Sequence, residues 1–288
     1  MGGSVLVVLS EPDPVASLVG ERWGTLPATG SIVDGTPVRR LAEGIFTLRR
    51  PGLHIHDEHL DLAVPPEVRL DGLTIVFPSI HKSERNVPCL TVHPIGNPGP
   101  LAEVGGRPRT FVPTDPARMV ATLRALHERA SAEGLTATFE ATHHGPELRT
   151  PAFFVEIGYG TLPAPPDGAV RILAEEIPRL SAEPGDRVAM AVGGGHYAPH
   201  FTDLALRRRW SFGHIVSRHA LAELDETTAR AAFHETPRAE GIVYARAEDA
   251  DHRALRGIGP RLRDRDAPGR AERSPVGPNP AGRGASGT

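Results

Sequence analysis

The chain opens on an unbroken apolar run, Val5-Leu6-Val7-Val8-Leu9, which gives way to Ser10-Glu11-Pro12-Asp13-Pro14. A short continuous run bounded by turn residues predicts a buried strand at the start of an α/β sheet. Leu73 to Phe77 repeats the pattern and is expected to end at Pro78. Pro88 to His93 is the next strand, followed by "PIGNPGP", too rich in Gly and Pro for regular structure. The period then changes. Met119, Val120, Leu123, Leu126 and Ala130 form a helical stripe between Pro116 and Glu133, with Thr114 or Asp115 as cap, Pro116 in the first turn and Gly134 as stop. His127 lies one step off that stripe and reads as a surface residue. From Leu135 to Ala141, apolar residues alternate with Thr136, Thr138 and Glu140, as in a half-buried strand. Further strands are predicted at Ala152 to Ile157, Val188 to Val192, Trp210 to Ser217 and Ile242 to Ala245. Helices are predicted at Ala169 to Leu180, where Pro178 disturbs the end, at Thr202 to Arg209 and at Thr227 to His234.

This alternation of strands and helices predicts a three-layer α/β domain with irregular insertions, occupying residues 1–266. From 267 to 288 the chain is rich in Gly, Pro, Ser and Arg with little to bury, and is expected to be a disordered tail. A length of 288 residues bounds the answer at one or two cores, and 39% hydrophobic with 23% charged residues is ordinary for a globular protein. No run approaches the roughly 20 apolar residues of a membrane span. The start has neither a basic segment nor a cleavage site, so a cytoplasmic protein with no membrane partner is expected. The single cysteine, Cys89, excludes an internal disulfide and sits in an apolar run, as a small buried hydrophobe would. A net charge of −3 gives no global attraction for nucleic acid, so such a partner needs a local patch. Lys82, Arg85, Arg107, Arg109 and the run Arg207-Arg208-Arg209 are the candidate phosphate contacts.

The 14 histidines change the picture through their placement. Four strand ends pass through Gly or Pro into loops carrying them: Ser79 to Ser83, Thr91 to Pro94, Thr142 to Pro146 and Gly193 to His200. Ligands of open α/β sheets bind beyond the carboxyl ends of the strands, so these loops are predicted to converge. Neutral imidazole and carboxylate are the usual ligands of a catalytic zinc, and Glu140, Glu156, His214 and His219 could add ligands or a base. His93 reads either as a site residue or as a hydrogen-bonded core histidine. His54, His56 and His59 in "LHIHDEHL" read as a solvated or capping run. Adjacent His143 and His144 cannot point the same way from an extended chain, so one would bind metal and the other support it. His196 and His200 have helical spacing, but Pro199 keeps Ala198 out of a helix, which excludes a zinc helix of the HExxH kind. Gly193, Gly194 and Gly195 either bring backbone N–H groups to a phosphate or oxyanion, or only make a tight turn.

Together, "FPSIHKS" at 77–83, "LTVH" at 90–93 with Gly96-Asn97, "EATHHGP" at 140–146, "FVEIG" at 154–158, "VGGGHYAP" at 192–199 and Gly213-His214 resemble the zinc-dependent D-aminoacyl-tRNA deacylases of archaea and plants. The motifs come in that family's order across roughly residues 5–245. The resemblance implies a three-layer α/β/α fold with a mixed sheet, similar to phosphorylases and peptidyl-tRNA hydrolase. It also implies two zinc ions per chain and a monomer that hydrolyses the ester joining a D-amino acid to the 3′ acceptor end of tRNA. Mapped onto this sequence, His81, His143, His144, His196 and Glu156 are the expected ligands. Glu140 or His93 would act as base, with His196 also at the reaction. Gly193, Gly194, Gly195, Tyr197, Lys82 and Ser83 would meet the substrate. Three departures stand out: His200 where a basic residue is usual, Tyr159 where serine is common, and the poorly matching "RAEDADHRALRGI". The competing expectations are a zinc amidohydrolase or carboxypeptidase acting on a small amide or peptide, and a non-catalytic tRNA-binding or metal-storage protein.

Overall fold

The protein is described from a computed structural model covering residues 3–69, 72–81, 88–182 and 186–266. Lys82, Ser83, Arg85 and the expected tail 267–288 lie outside the described residues. The strands are β1 (Ser4–Ser10), β2 (Ala28–Val33), β3 (Thr36–Ala42), β4 (Ile45–Arg50), β5 (Leu73–His81), β6 (Cys89–Pro94), β7 (Gly96–Asn97), β8 (Thr110–Phe111), β9 (Thr136–Phe139), β10 (Ala152–Gly158), β11 (Arg187–Val192), β12 (Trp210–Val216), β13 (Ile242–Tyr244) and β14 (Arg261–Leu262). The helices are α1 (Pro14–Arg22), α2 (Leu60–Ala63), α3 (Pro116–Ala130), α4 (Asp167–Glu176), α5 (Pro199–Arg207), α6 (Arg218–Leu221) and α7 (Glu226–His234).

β1 is buried at every position, as its unbroken apolar run requires, because it lies inside an eight-stranded sheet of order β2-β3-β4-β1-β5-β10-β6-β9. β1 pairs in parallel with β4 and β5, and β5 with β10, whereas β6 runs antiparallel to β10. The expected mixed α/β sheet is therefore present. A second sheet, β12-β11-β13-β14, is parallel throughout, and β7 and β8 form a small ribbon.

Strand parity divides the large sheet into two faces. Val5, Val7, Val76, Val92, Phe153 and Val155 pack beneath α1, α3 and α4. Leu6, Val8, Ile75, Phe77 and Phe154 point the other way, onto Leu60, Val64 and Val68. The apolar stripe of α3 also meets Trp210, Phe212 and Ile215 of β12, so the two sheets share one core across this helix. Asp115 caps α3 by accepting the Arg118 N–H, and Asp13 caps α1 by accepting from Val15 and Ala16.

The chain expected to turn after β1 forms α1, capped by Asp13 with Pro14 in its first turn, and the loop expected from Pro94 contains the two-residue β7 because it pairs with β8; three further expectations change. β5 does not stop at Pro78 but continues to His81, because pairing with β1 ends at Val76 and leaves that side free of ladder donors. The β2-β3-β4 meander has no counterpart in the apolar pattern, since β2 is an edge strand and exposes alternate residues such as Ile32. His54 is not solvated: it is 2% exposed and packs on the rings of Phe77 and Phe154, while His56 is exposed as expected.

Candidate metal-binding active site

The face of the large sheet away from α1, α3 and α4 collects the chemistry. His81 ends β5 in phase with Ile75 and Phe77. On β10, Glu156 pairs with Ser79 of β5 and Thr91 of β6, and one step away Phe154 pairs with His93. Glu140 follows β9 in phase with Thr136 and Thr138, so its side chain turns to the same face.

Two loops complete the site. After β9 the chain reaches the small sheet, where the Thr142 N–H meets the Ile215 carbonyl, before delivering His143 and His144. After β11, Gly193 to Ala198 returns to the large sheet: the Ala141 N–H donates to the His196 carbonyl, and Tyr197 bridges Glu140. The predicted convergence of histidine loops is therefore present.

His81 Nδ1 lies 3.2 Å from Glu140 Oε1 and 3.3 Å from Glu156 Oε2. His93 Nε2 is 3.6 Å from Glu156 Oε1. Glu140 Oε2 is 3.6 Å from His196 Nε2 and 3.9 Å from His143 Nε2. Ring centroids of His93 and His143 are 4.0 Å apart, and those of His143 and His196 4.6 Å. His143 and His144 come together, their ring centroids 4.4 Å apart, which an extended chain would not allow. His144 adopts φ +41°, so the pair is not extended and the rule of alternating sides does not apply. This conformation is braced by Gly145, where a Cβ would lie 2.3 Å from Gly106 N.

The hydrogen bonds define the tautomers. Nδ1 of His93 faces the Pro94 carbonyl at 3.1 Å, that of His143 the Ala141 carbonyl at 2.8 Å, and that of His144 the Gly145 carbonyl at 2.7 Å. A carbonyl only accepts, so each Nδ1 carries the proton and each Nε2 presents a lone pair, the arrangement second partners give to metal-binding histidines. Three groups could hold a metal, each with its ligand atoms within 4.8 Å of one another: His93, His143 and His144; His81, Glu140 and His196; His93, Glu140 and Glu156. His93 Nε2 and both Glu140 oxygens are buried without a hydrogen bond among the described residues. Buried polar atoms are rarely left so, and this nitrogen and these oxygens suit a borderline-soft divalent cation.

Electrostatics point the same way. Burial and the Glu156 charge push the Glu140 carboxyl well above the usual range. Burial alone would raise Glu156 too, but His93 and His81 outweigh it and hold it well below. Burial and neighbouring imidazoles keep His143 neutral far below its usual value and lower His144 and His196 to about 4. His143, His144 and His196 are thus unprotonated, as ligands must be, at neutral pH.

Of the remaining predicted residues, Tyr197 presents its hydroxyl to His81 Nε2 at 3.0 Å. The Gly193 N–H is taken by the Val216 carbonyl, and a Cβ there would meet Asp249 Oδ2 at 2.3 Å, so Gly193 serves the turn. Gly194 has φ +80° and nothing within 4 Å of its missing Cβ, and Gly195 is exposed, so these two leave open room beside His196. His214 is fully buried between Thr142 Oγ1 and the Val112 carbonyl, and His219 is exposed on α6, and neither joins the groups that could hold a metal among the described residues. His200 lies on α5 against Phe201. Cys89 is buried, and burial pushes its thiol up, as befits a packing residue. Arg107, Arg109, Arg207 and Arg209 pair with Glu147, Asp225, Asp203 and Asp186. Two supporting acids escaped the sequence reading. Asp13 Oδ2 accepts from Ser79 Oγ and Ile80 N, anchoring the strand before His81, and Glu58 accepts from the Gly106 and Glu147 amides. The "DP" cap signal pointed to Asp13; nothing local points to Glu58.

The buried neutral histidines set a pH dependence of folding. His214, lowered to about 3, and His144, lowered to about 4, titrate near 6.5 once unfolded. Between those values the unfolded chain binds more protons than the folded one, so stability falls as pH drops from 6.5 toward 4. Urea midpoints in chelator should be lower at pH 5 than at pH 7, and His214→Gln should flatten the slope. An unchanged slope would remove His214 from this account.

Residues 69–258 match the family model for D-aminoacyl-tRNA deacylase. The D-aminoacyl-tRNA deacylase of Methanoregula boonei is 46% identical over 168 residues, which cover 57% of this chain and 38% of the relative. That of Thermoplasma volcanium is 38% identical over 58% of this chain and 65% of its own length. That of Pyrococcus furiosus is 37% identical over 202 residues, 69% of this chain and 74% of the relative. The chain thus spans between about a third and three quarters of the length of these relatives. A crystal structure of a conserved protein of unknown function superposes with a TM-score of 0.79 at 26% identity, over 92% of this chain and 97% of that one. With the family match covering both carboxylates and every histidine of the site, the chain belongs to the D-aminoacyl-tRNA deacylase family.

Proposed function

We propose that the chain hydrolyses the ester of D-aminoacyl-tRNA at the 3′ acceptor end, releasing tRNA and D-amino acid. The observation that carries this reading is the joining of family membership to a buried cluster of two carboxylates and five imidazoles, with room left at Gly194 and Gly195. The cluster would take two zinc ions: His93, His143 and His144 would hold one, and His81, His196 and Glu156 the other, with Glu140 left beside it as base. When bound, zinc supplies Lewis acidity and brings the pKa of water toward about 7.

The chain's own residues do the rest. Glu140, with its raised pKa, takes a proton from the attacking water and can return it to the departing ribose oxygen. Glu156 stays charged and orients His81 and His93. His196, with 46% of its side chain exposed, stands at the mouth, where the acyl carbonyl arrives beside the Gly194 and Gly195 amides. His93 fits a ligand role better than the base role, since its Nδ1 is held by the Pro94 carbonyl and its Nε2 is fully buried without a hydrogen bond among the described residues.

The second reading, a zinc amidohydrolase acting on a small amide, draws support from the ion pairs that occupy Arg107, Arg109, Arg207 and Arg209. Side-by-side assays with D-tyrosyl-tRNA, L-tyrosyl-tRNA and N-acetyl-tyrosine separate the two. Turnover of D-tyrosyl-tRNA alone is expected, and His196→Ala should abolish it with the fold intact by circular dichroism. Hydrolysis of N-acetyl-tyrosine without D-tyrosyl-tRNA turnover would overturn the first reading.

A further inference from the structure

On the helix-side face of the large sheet, away from the histidine cluster, a cavity of about 370 Å³ lies between α1 and the strands β1, β4 and β3. Its walls include Trp23, Thr47, Arg39 and Arg49. Leu9 pairs with Arg49, and Thr47 with Arg39, so both arginines project from the face that carries Val5 and Val7. As diagonal neighbours across β3 and β4 their side chains start about 7–8 Å apart.

Arg39 is half-buried and Arg49 exposed, and two positive charges flanking one cavity favour an anion between them. Elsewhere arginines meet acids, as Arg50 meets Asp57 and Arg129 meets Glu175. Arg39 and Arg49 make no ion pair among the described residues, and Arg39 donates only to the Leu26 carbonyl. Glu11 also lines the cavity but pairs with neither. Gly20 of α1 leaves the space Arg49 fills: a Cβ there would lie 3.1 Å from Arg49 Nη2. Thr47 is 3% exposed and lies between the two arginines, opposite Arg39 and two residues before Arg49 on its own strand. Trp23 donates its indole N–H to the Ala174 carbonyl, which fixes the ring as a wall.

Two guanidiniums without an ion pair and a fixed aromatic wall are the recognition set for an oxyanion joined to a flat ring. We propose that this cavity binds one nucleotide, its phosphate between Arg39 and Arg49 and its base against Trp23. The nucleotide is either free or part of an RNA strand, and the second source rests on the deacylase reading. From strand register, Arg49 and His81 are two strands and about three residues apart, ~14 Å, on opposite faces. An RNA occupant would therefore be a nucleotide other than the reacting one.

The probes are inorganic phosphate and adenosine 5′-monophosphate, read by intrinsic fluorescence, since Trp210 is fully buried and Trp23 lines the cavity. Adenosine monophosphate is expected to quench the signal and to bind more tightly than phosphate. Arg39→Gln/Arg49→Gln should weaken it about tenfold or more, with Trp23→Phe losing the quench. No binding, or equal binding to the double variant with an unchanged circular dichroism spectrum, overturns the site. If the source is RNA, the double variant also raises KM for D-tyrosyl-tRNA at unchanged kcat and metal content. If it is a free nucleotide, KM stays put while adenosine monophosphate binding is lost. A protein without deacylase activity would sink the proposed function, while the fluorescence titration would still decide whether this cavity binds a nucleotide.

Discussion

Glu140→Gln is expected to lower D-tyrosyl-tRNA hydrolysis by roughly 10²–10⁴-fold, the usual worth of a general acid-base group. It is also expected to leave the metal-free protein at least as stable as before. Glu140 is fully buried, its two oxygens lack hydrogen bonds, and burial and Glu156 disfavour its charge. An amide of the same shape sheds the charge but not the position, so the fold gains what the reaction loses. Single-turnover rates and urea midpoints measured in chelator test both halves. A variant with normal turnover removes Glu140 from the chemistry. One that is inactive but clearly less stable would mean that its carboxylate holds the fold together.

Metal removal is the second large effect. His93, His143 and His144 are already oriented through their Nδ1 atoms, and His143 and His144 already neutral, so the folded chain offers a formed site that the unfolded chain lacks. At a free zinc concentration 100-fold above Kd, binding should add about 2.7 kcal/mol per ion. Chelation should lower Tm accordingly, and zinc should restore both Tm and turnover. His144→Gln should lower zinc content from two ions per chain to one, because it touches only the His93, His143 and His144 group. No shift of Tm on adding zinc to stripped protein would sink the metal-centre reading; two ions retained in His144→Gln would sink the assignment of His144.

Legibility followed periodicity. The stripe Met119 to Ala130 specified α3 with its Asp115 cap and Pro116 start, because a helix buried on one side must repeat its apolar positions. β1 and β11 were equally plain from their unbroken runs. The β2-β3-β4 meander was not, since an edge ribbon buries too little to impose a pattern. His54 was misjudged for a related reason. Its charged neighbours Asp57 and Glu58 suggested water, whereas the Phe77 and Phe154 rings that cover it come from distant strands.

The α/β class, most strands and helices outside α1 and the β2-β3-β4 meander, and the identity of the chemistry-bearing residues were present in the sequence, because these depend on residue type and local period. Tertiary structure alone decided that His81, His93, Glu140 and Glu156 share the sheet face opposite α1, α3 and α4, since that requires strand register. It also decided that His143 and His144 lie together, through the left-handed turn that Gly145 and Gly106 brace, and that Gly193 spends its N–H on Val216. Residue order carries period and composition. Register, handedness and the partner of each buried donor arise only when distant segments pack.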